Sequence, residues 1–266
     1  METGLKGKVL LAAASSEGLG YGIAEKALQE GARVYIGSRT RKNVDSALAK
    51  LAPVAGASGG GIAGSVLDMG SGDSIASWVA SGLAEFGAID ALLVNAGGPP
   101  AGNFEAFGDD ETWRKAFELT LLSSVRLIRA ALPSLKLSRG SILTITSSSV
   151  KEPWPGLILS GVMRSGVASL VKSLSVELGP EGIRVNNLAP GKIMTGRLTK
   201  LLAFDAEKRG VSLDEQIAKS NVEIPLGRIG SVDEFARAGV FLLSGAASYI
   251  SGQTVLVDGG ASKFLY

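Results

Sequence analysis

Short apolar runs alternate with longer segments of helical periodicity along nearly the whole chain, and this alternation constrains the fold most. Strands that alternate with helices build βαβ units, whose parallel sheet is covered by helices on both faces. The predicted strands are Val9–Ala13, Arg33–Ile36, Gly61–Val66, Ala91–Val94, Ser141–Thr146, Arg184–Leu188 and Thr254–Val257. The predicted helices are Gly20–Glu30, Arg41–Leu51, Ser74–Phe86, Glu111–Leu135 and Leu157–Leu178. The sequence therefore predicts an α/β fold with a doubly wound parallel sheet of about seven strands.

No linker rich in proline or serine and no break in composition divides the chain, so we expect a single domain over residues 1–266. A longer excursion, Ala189–Asp214, follows the sixth predicted strand. Insertions after the carboxyl end of a strand often form lids over a ligand, which makes 189–214 a candidate substrate lid. The alternative is a plain surface excursion.

Two residue types are missing, and their absence excludes whole classes of chemistry. The chain has no cysteine and no histidine. A Ser-His-Asp triad, a histidine general base, and metal sites built from cysteine or histidine are therefore excluded, and we expect no metal. Acid–base chemistry must come from Asp, Glu, Lys, Tyr, Ser or water. A chain without disulfides fits a reducing compartment, so we expect a cytoplasmic protein.

The charge balance indicates which partners to expect. The chain has 27 Lys and Arg against 25 Asp and Glu, a formal net charge of +2. So small a net charge gives no electrostatic reason to expect nucleic acid or an anionic membrane as a partner. No run reaches the roughly 18 apolar residues that a membrane span needs. We therefore expect neither nucleic acid nor a membrane as a partner.

A glycine-containing turn follows the first predicted strand and leads into a helix. The turn reads Ala13-Ala14-Ser15-Ser16-Glu17-Gly18-Leu19-Gly20. Glycines at such a position let the backbone approach a pyrophosphate, and the helix N-terminus behind them supplies N–H groups and a favourable dipole. The turn predicts a dinucleotide site, although two glycines could also form only a tight turn.

The end of the second predicted strand bears on the choice of cofactor. An Asp or Glu there would hold the ribose hydroxyls of NAD, but the chain reads Gly37-Ser38-Arg39. Ser38 and Arg39 are suited to a 2′-phosphate, which favours NADP(H) over NAD(H). Glu17 argues the other way, because its carboxylate belongs to the phosphate-binding turn. A solvated helix start is the alternative interpretation of the basic residues.

From about Lys8 to Gly260 the chain resembles the short-chain dehydrogenase/reductase family, and within it the bacterial 3-oxoacyl-acyl-carrier-protein reductases. The glycine turn matches, except that Ala14 replaces the first glycine and the first Asn of the Asn-Asn-Ala-Gly motif is Val94. The C-terminal segments 224–228, 247–253 and 257–260 are similar as well. The resemblance implies a Rossmann-type fold and a set of cofactor-binding positions. These are Ala14, Ser15, Ser16, Gly18, Leu19, Gly20, Ser38, Arg39, Asp68, Met69, Asn95, Ala96, Gly97, Pro190, Gly191, Ile193 and Thr195.

The catalytic residues of that family are Asn, Ser, Tyr and Lys, and three of the four differ here. The serine falls on Ser147, at the end of the fifth predicted strand, and the tyrosine thirteen positions later falls on Ser160. The lysine falls on Arg164, and the asparagine falls on Thr120. A serine hydroxyl is a far weaker acid than a phenol, and an arginine stays charged, so proton delivery must differ from that of the family.

Three hypotheses follow from this mixture of retained and lost positions. The first is an NADP(H)-dependent reductase of a small carbonyl or 3-oxoacyl compound, in which Lys151, Glu152 or a water replaces the phenol. The second is a catalytically weak or inactive NADP(H)-binding sensor or scaffold. The third is a structural subunit that needs no cofactor.

The resemblance further implies a homo-oligomer, a tetramer or a dimer. The predicted helices 111–135 and 157–178 would form its interfaces. The apolar tail, which ends in Phe264, Leu265 and Tyr266, is predicted to pack on a neighbouring subunit.

Overall fold

Successive residues of the strands enter two different cores, because neighbouring side chains on a strand point to opposite faces of the sheet. In the first strand, Leu10 and Ala12 join the core on one face, whereas Val9 and Leu11 join the core on the other. Burial on both faces explains why the strands read as continuous apolar runs. The computed structural model describes residues 2–265.

Seven parallel strands form one sheet. They are β1 Val9–Ala12, β2 Arg33–Ser38, β3 Gly61–Val66, β4 Ala91–Val94, β5 Ser141–Ile145, β6 Arg184–Pro190 and β7 Thr254–Val257. Their order across the sheet is β3-β2-β1-β4-β5-β6-β7. Leu10 of β1 lies opposite Val34 of β2 on one side and Ala91 of β4 on the other. The order therefore reverses between β1 and β4, and such a reversal opens a crevice at the carboxyl ends of the strands.

Helices cover both faces of this sheet. They are α1 Gly18–Gln29, α2 Arg41–Ser58, α3 Gly72–Phe86, α4 Asp110–Phe117, α5 Ser123–Ser138, α6 Ile158–Leu178, α7 Gly196–Arg209, α8 Leu213–Val222 and α9 Val232–Leu243. Side chains of α1, α2 and α9 enter one core, and those of α3, α5 and α6 enter the other. The expected doubly wound, Rossmann-type α/β fold is confirmed. Within residues 2–265, no helix is both long enough and apolar enough to cross a bilayer.

The predicted strands agree with the observed ones within two residues at each end. The predicted helix Glu111–Leu135 differs more, because a π-helical turn over Glu118–Leu122 separates α4 from α5. A π turn inserts one residue into an otherwise regular helix, and it is frequent at functional sites. A hydrophobic pattern of helical period does not reveal such an insertion.

Helices α7, α8 and α9 were not identified from the sequence. Two of them carry a local signal, since Ser212 and Glu215 form a capping box at α8 and Ser231 and Glu234 form one at α9. The excursion Ala189–Asp214 therefore contains a regular helix, α7, and the first residues of α8.

Close packing of α1 against α9 predicts a strict size limit at Gly239. A Cβ there would lie 2.6 Å from Ile23 Cδ1, so we expect Gly239→Ala to lower the free energy of unfolding by about 1–3 kcal/mol. Gly56 in α2 has open space around it, so Gly56→Ala should raise this energy by about 0.5–1 kcal/mol. Urea unfolding of both variants tests the pair; equal shifts would contradict the packing argument.

Candidate functional site

The candidate site lies at the carboxyl edge of the sheet, where the segments after β1 and β4 meet. The side-chain amide of Asn95 donates a hydrogen bond of 3.0 Å to the carbonyl oxygen of Ala14. Asn95 follows β4 directly, and Ala14 lies in the turn after β1. The bond therefore ties the two sides of the crevice together. Ala96 and Gly97 continue from Asn95 along the same rim, and Gly97 is exposed.

The turn between β1 and α1 leaves the helix N-terminus open. Gly18 has a φ of +64°, and a Cβ on Gly20 would lie 2.5 Å from Ser15 Oγ and 2.9 Å from Asn95 Nδ2. The N-cap residue is Glu17, whose exposed side chain makes no capping hydrogen bond, and the first turn of α1 carries no acidic residue. Its free N–H groups and its dipole are therefore available to an anion, which fits the diphosphate of a dinucleotide. Leu19 packs against the core below this turn.

Ala14 adopts an unusual backbone conformation for a residue with a side chain. Its φ is +47°, one of two positive values at non-glycine residues within 2–265. This left-handed region costs about 1–2 kcal/mol for most L residues. The resemblance places a glycine here, so the backbone keeps the conformation that a glycine would favour even though the residue has changed.

The end of β2 presents hydroxyl and guanidinium groups. Ser38 is buried, and its Oγ lies 2.8 Å from Ser16 Oγ, so the glycine turn is joined to β2. Arg39 is exposed and forms no salt bridge within residues 2–265, whereas Arg41 pairs with Asp45 at 2.9 Å. No carboxylate occupies positions 37–39. Of the basic residues at positions 39, 41 and 42, only Arg41 is paired within residues 2–265, so Arg39 and Lys42 are both available to an anion at this edge.

Asp68 and Met69 lie just beyond the end of β3. Asp68 is exposed, and its carboxylate accepts a hydrogen bond from the backbone N–H of Gly70 at 2.9 Å. Met69 is buried in the core below. The two side chains therefore point to different environments, and only that of Asp68 is presented to solvent.

The segment after β6 forms the opposite wall. Pro190 is the last residue of β6, and a Cβ on Gly191 would lie 2.8 Å from the Cα of Asp258. Ile193 is buried, and the Thr195 hydroxyl caps α7 by accepting from Leu198 N at 3.2 Å. The methyl group of Thr195 would lie 3.9 Å from a Cβ on Gly18. This wall therefore approaches the open N-terminus of α1.

Ser160 and Arg164 form a pair on the first turns of α6. Nε of Arg164 donates to Ser160 Oγ at 3.1 Å, and Nη1 donates to the carbonyls of Ile145 at 3.0 Å and Thr146 at 3.2 Å. The second amino group, Nη2, makes no hydrogen bond to the described residues. Arg164 is only 8% exposed, and burial lowers the pKa of its guanidinium to about 10, with repulsion from Arg197 adding to the effect. It is therefore a buried cation at neutral pH.

Ser147 precedes this pair along the chain. It follows β5, and its Oγ accepts from the N–H of Ser149 at 3.2 Å. No group within residues 2–265 accepts a hydrogen bond from its own O–H. The hydroxyl is therefore held in place while it keeps a proton to donate.

Thr120 occupies the π-helical turn and is 3% exposed. Its Oγ1 has no hydrogen-bond partner among the described residues, and the same holds for the hydroxyls of Ser148 and Ser149. Buried hydroxyls without partners are uncommon and costly. Three such hydroxyls lie in segments that adjoin α6. This region is therefore polar, and some of its hydrogen-bonding groups lack partners among the described residues.

Arg197 was not singled out from the sequence. It lies in the first turn of α7, and a Cβ on Gly98 would overlap its guanidinium, with Nη2 at 2.7 Å. Gly98 follows β4, so Arg197 reaches from the wall after β6 to the rim after β4. A glycine directly after Asn95-Ala96-Gly97 is the only sequence signal, and it does not specify which side chain fills the space.

The described tyrosines lie away from Ser160. The Tyr35 hydroxyl donates to Ser65, Tyr21 donates to Glu25, and Tyr249 is fully exposed. Tyr266 lies outside the described residues. Within residues 2–265, no phenol takes the place that the resemblance assigns to a tyrosine. That part of the chain also has no cluster of three Asp or Glu residues suited to a metal ion.

The loop between β5 and α6 touches the C-terminal tail of the same chain. Glu152 accepts a hydrogen bond from the N–H of Lys263 at 3.0 Å, and Lys151 Nζ lies 5.3 Å from the ring centre of Phe264. These contacts partly cover Phe264 within its own chain. Packing of the tail on a neighbouring subunit stays a prediction.

The strained turn leads to a test at Ala14. We expect Ala14→Gly to raise the free energy of unfolding by about 1 kcal/mol, because glycine adopts a positive φ without steric cost. Ala13, whose φ is not positive, is the matched control, and Ala13→Gly should lower stability by about 0.5–1 kcal/mol. Urea unfolding measures both; a loss of stability in both variants would show that Ala14 is not strained.

Known proteins are similar to this chain over nearly its full length. A family described as Enoyl-(Acyl carrier protein) reductase matches residues 13–262. Dehydrogenase/reductase SDR family member 4 from Homo sapiens is 34% identical over 262 residues, which cover 98% of this chain and 90% of that protein. The protein of the same name from Caenorhabditis elegans is 34% identical over 264 residues, with 98% and 97% covered.

Solved structures share the same fold. L-Sorbose reductase from Gluconobacter frateurii, complexed with NADPH and L-sorbose, has a TM-score of 0.93 and 28% identity over 100% of both chains. The NADPH-bound short chain oxidoreductase from Pseudomonas aeruginosa PAO1, described as containing an atypical catalytic center, has a TM-score of 0.87 and 28% identity over 97% and 98% of the two chains. Together with the family match, these similarities show that this chain belongs to the short-chain dehydrogenase/reductase family of oxidoreductases.

Proposed function

We propose that this protein is an NADP(H)-dependent reductase of a small carbonyl or 3-oxoacyl compound, with proton delivery that does not use a tyrosine. The observation that carries the proposal is the N-terminus of α1, where the N-cap residue Glu17 makes no side-chain capping bond and the first turn, from Gly18 onward, has no acidic residue. This arrangement suits a dinucleotide diphosphate. The exposed carboxylate of Glu17 is the feature of this turn that opposes an anion. NADPH in the solved structures of the similar L-sorbose reductase and Pseudomonas oxidoreductase supports the same cofactor.

The nicotinamide supplies the hydride when the cofactor is bound, and the protein supplies position and charge. Pro190, Gly191, Ile193 and Thr195 would contact the nicotinamide and diphosphate. Asn95, Ala96 and Gly97 would line the opposite rim. Asp68 presents its exposed carboxylate toward the adenine end.

Ser147 and Ser160 take complementary roles in this proposal. Ser147 keeps a free O–H, so it donates a hydrogen bond to the carbonyl oxygen of the substrate. Ser160 accepts from Arg164 Nε, so its own O–H points away from the guanidinium and is available to donate. A serine side chain is shorter than a tyrosine by a ring, and we propose that a water bridges Ser160 to the substrate oxygen. The positive charge of Arg164 stabilises negative charge that develops on this path.

Arg164 fixes the geometry of this pair. Its Nη1 is held by the carbonyls of Ile145 and Thr146, so the guanidinium cannot swing away. Because an arginine stays protonated, it binds and orients but does not shuttle protons. Loss of a positioned phenol costs about 10²–10⁴ in rate, so we expect slow turnover with simple carbonyl compounds.

The remaining expectations from the sequence are kept as proposals. We propose that residues 1–266 act as a single domain, that segment 189–214 closes over substrate through α7, and that the protein is a cytoplasmic tetramer or dimer. The alternative function is an NADP(H)-binding sensor or scaffold, which the joint loss of the family Asn, Tyr and Lys at Thr120, Ser160 and Arg164 favours. Tight NADPH binding without turnover over a broad carbonyl panel would establish it.

Calorimetric titration with NADPH and NADH tests the cofactor proposal directly. We expect tighter binding of NADPH, because the free Arg39 and the hydroxyl of Ser38 suit a 2′-phosphate. Arg39→Ala should weaken NADPH binding about tenfold or more and leave NADH binding unchanged. Arg41→Ala is the control, since Arg41 already pairs with Asp45. Absence of binding by either nucleotide would remove the reductase and sensor functions together.

The double substitution Ser160→Tyr with Arg164→Lys tests the altered proton delivery. It places a phenol and an amine at the family positions, so we expect reductase activity toward simple 3-oxoacyl thioesters to rise about 10²–10⁴-fold. Calorimetry with NADPH and a thermal melt serve as controls for cofactor binding and folding. No gain in activity, with both controls intact, would show that the cleft is arranged for a different proton path.

A further inference from the structure

Two arginines at the cleft lack a negatively charged partner. Within residues 2–265, neither Arg164 nor Arg197 lies within 4.0 Å of a carboxylate. Other basic residues do pair with a carboxylate, among them Lys8, Lys26, Arg126, Lys136, Lys192 and Arg228. The buried Arg164 donates from Nε to Ser160 and from Nη1 to two carbonyls, and its Nη2 has no acceptor within residues 2–265. A buried charge without a counterion is costly unless a ligand supplies one.

Arg197 adds a second positive charge to this region and does not neutralise the charge of Arg164. The two guanidinium groups lie at the carboxyl ends of neighbouring strands, since Arg164 donates to the carbonyls of Ile145 and Thr146 at the end of β5 and Arg197 lies against Gly98, after β4. Repulsion from Arg197, which after burial is the second cause of the lowered pKa of Arg164, agrees with this placement. Arg197 is itself exposed, and its guanidinium lies against the backbone of Gly98. Two like charges held on separate elements, α6 and α7, attract an anion that enters between them.

We infer that Arg197 and the free side of Arg164 bind the negative group of the substrate, which makes the substrate class an oxo acid. This inference rests on the proposed function and narrows it from carbonyl compounds in general to carbonyl compounds that carry a carboxylate. Guanidinium groups bind carboxylates through paired, charge-assisted hydrogen bonds.

The cofactor diphosphate is also an anion, so the two arginines could bind it instead of a substrate carboxylate. The position of the arginines favours the substrate. The diphosphate belongs to the N-terminus of α1 after β1, where Thr195 approaches Gly18. Arg197 lies against the segment that follows β4. Arg164 lies at the end of β5, beside the two serines that we propose act on the carbonyl oxygen of the substrate.

The test compares oxo acids with their neutral esters. The probes are pyruvate, acetoacetate and levulinate, each beside its methyl ester, with NADPH oxidation followed for the wild type and Arg197→Gln. We expect at least one acid to exceed its ester by about tenfold or more in kcat/KM. Arg197→Gln should remove that preference and leave the Kd for NADPH within about twofold.

Arg209→Gln is the matched control. It removes the same charge from the same helix, about 18 Å away along the axis, so it should leave the ratio of acid to ester unchanged. Preference for the esters in the wild type would overturn the inference. So would an Arg197→Gln variant that binds NADPH much more weakly with an unaltered ratio, because the anion would then be the cofactor diphosphate.

A binding measurement separates failure of this inference from failure of the reductase function. The acids and esters are titrated calorimetrically into the wild-type complex with NADP⁺. If acids bind and esters do not, and Arg197→Gln loses this binding, the anion site stands even when no turnover is seen. If NADP⁺ binds but no acid binds more tightly than its ester, the inference is overturned while the cofactor proposal survives.

Discussion

Burial of the parallel sheet on both faces is the constraint on which the rest of this structure depends. Since helices occupy both faces, polar side chains that must meet a ligand can leave the sheet only at the strand ends. The order reversal between β1 and β4 then separates the connections and opens a crevice there. The hydrogen bond from Asn95 to Ala14 holds the two sides of that crevice at a fixed distance. The segments of the candidate site are held in place by this sheet and the helices that cover it.

The Ser160–Arg164 pair shows how the same fold accommodates different side chains at these two positions. Arg164 is longer than a lysine and has more donors, so it can satisfy two strand-end carbonyls and a hydroxyl together. Ser160 leaves the space of a phenol to water or substrate. The hydroxyls of Thr120, Ser148 and Ser149, which lack partners among the described residues, belong to the segments around this pair, so water or a bound ligand could complete their hydrogen bonds.

The fold could be predicted from the sequence to a large extent, because two-sided burial leaves a continuous apolar run at the central strands β1, β4 and most of β5. The bounds of β1 to β7 agree with the predicted strands within two residues, and the cofactor segments fall at their carboxyl ends. The π turn at Glu118–Leu122 could not be predicted, since one inserted residue barely changes a helical pattern. Helices α7 and α8 bury few residues, two of them polar, so their apolar pattern is weak. Helix α9 buries a clear apolar face, and the capping boxes at Ser212 and Ser231 mark the starts of α8 and α9, so α9 was readable from the sequence.

Resemblance to the family assigned Ser160 and Arg164 to the positions of a tyrosine and a lysine. The sequence by itself determined the succession of the seven strands with most of the helices between them, and the absence of histidine and cysteine chemistry. These follow from residue identity and short-range pattern. Only the tertiary structure decided that Ala14 has a positive φ, that Arg164 is buried with a free Nη2, and that Arg197 reaches Gly98. Each of these depends on segments far apart in the chain, and their approach is set by packing against the sheet, which no local pattern encodes.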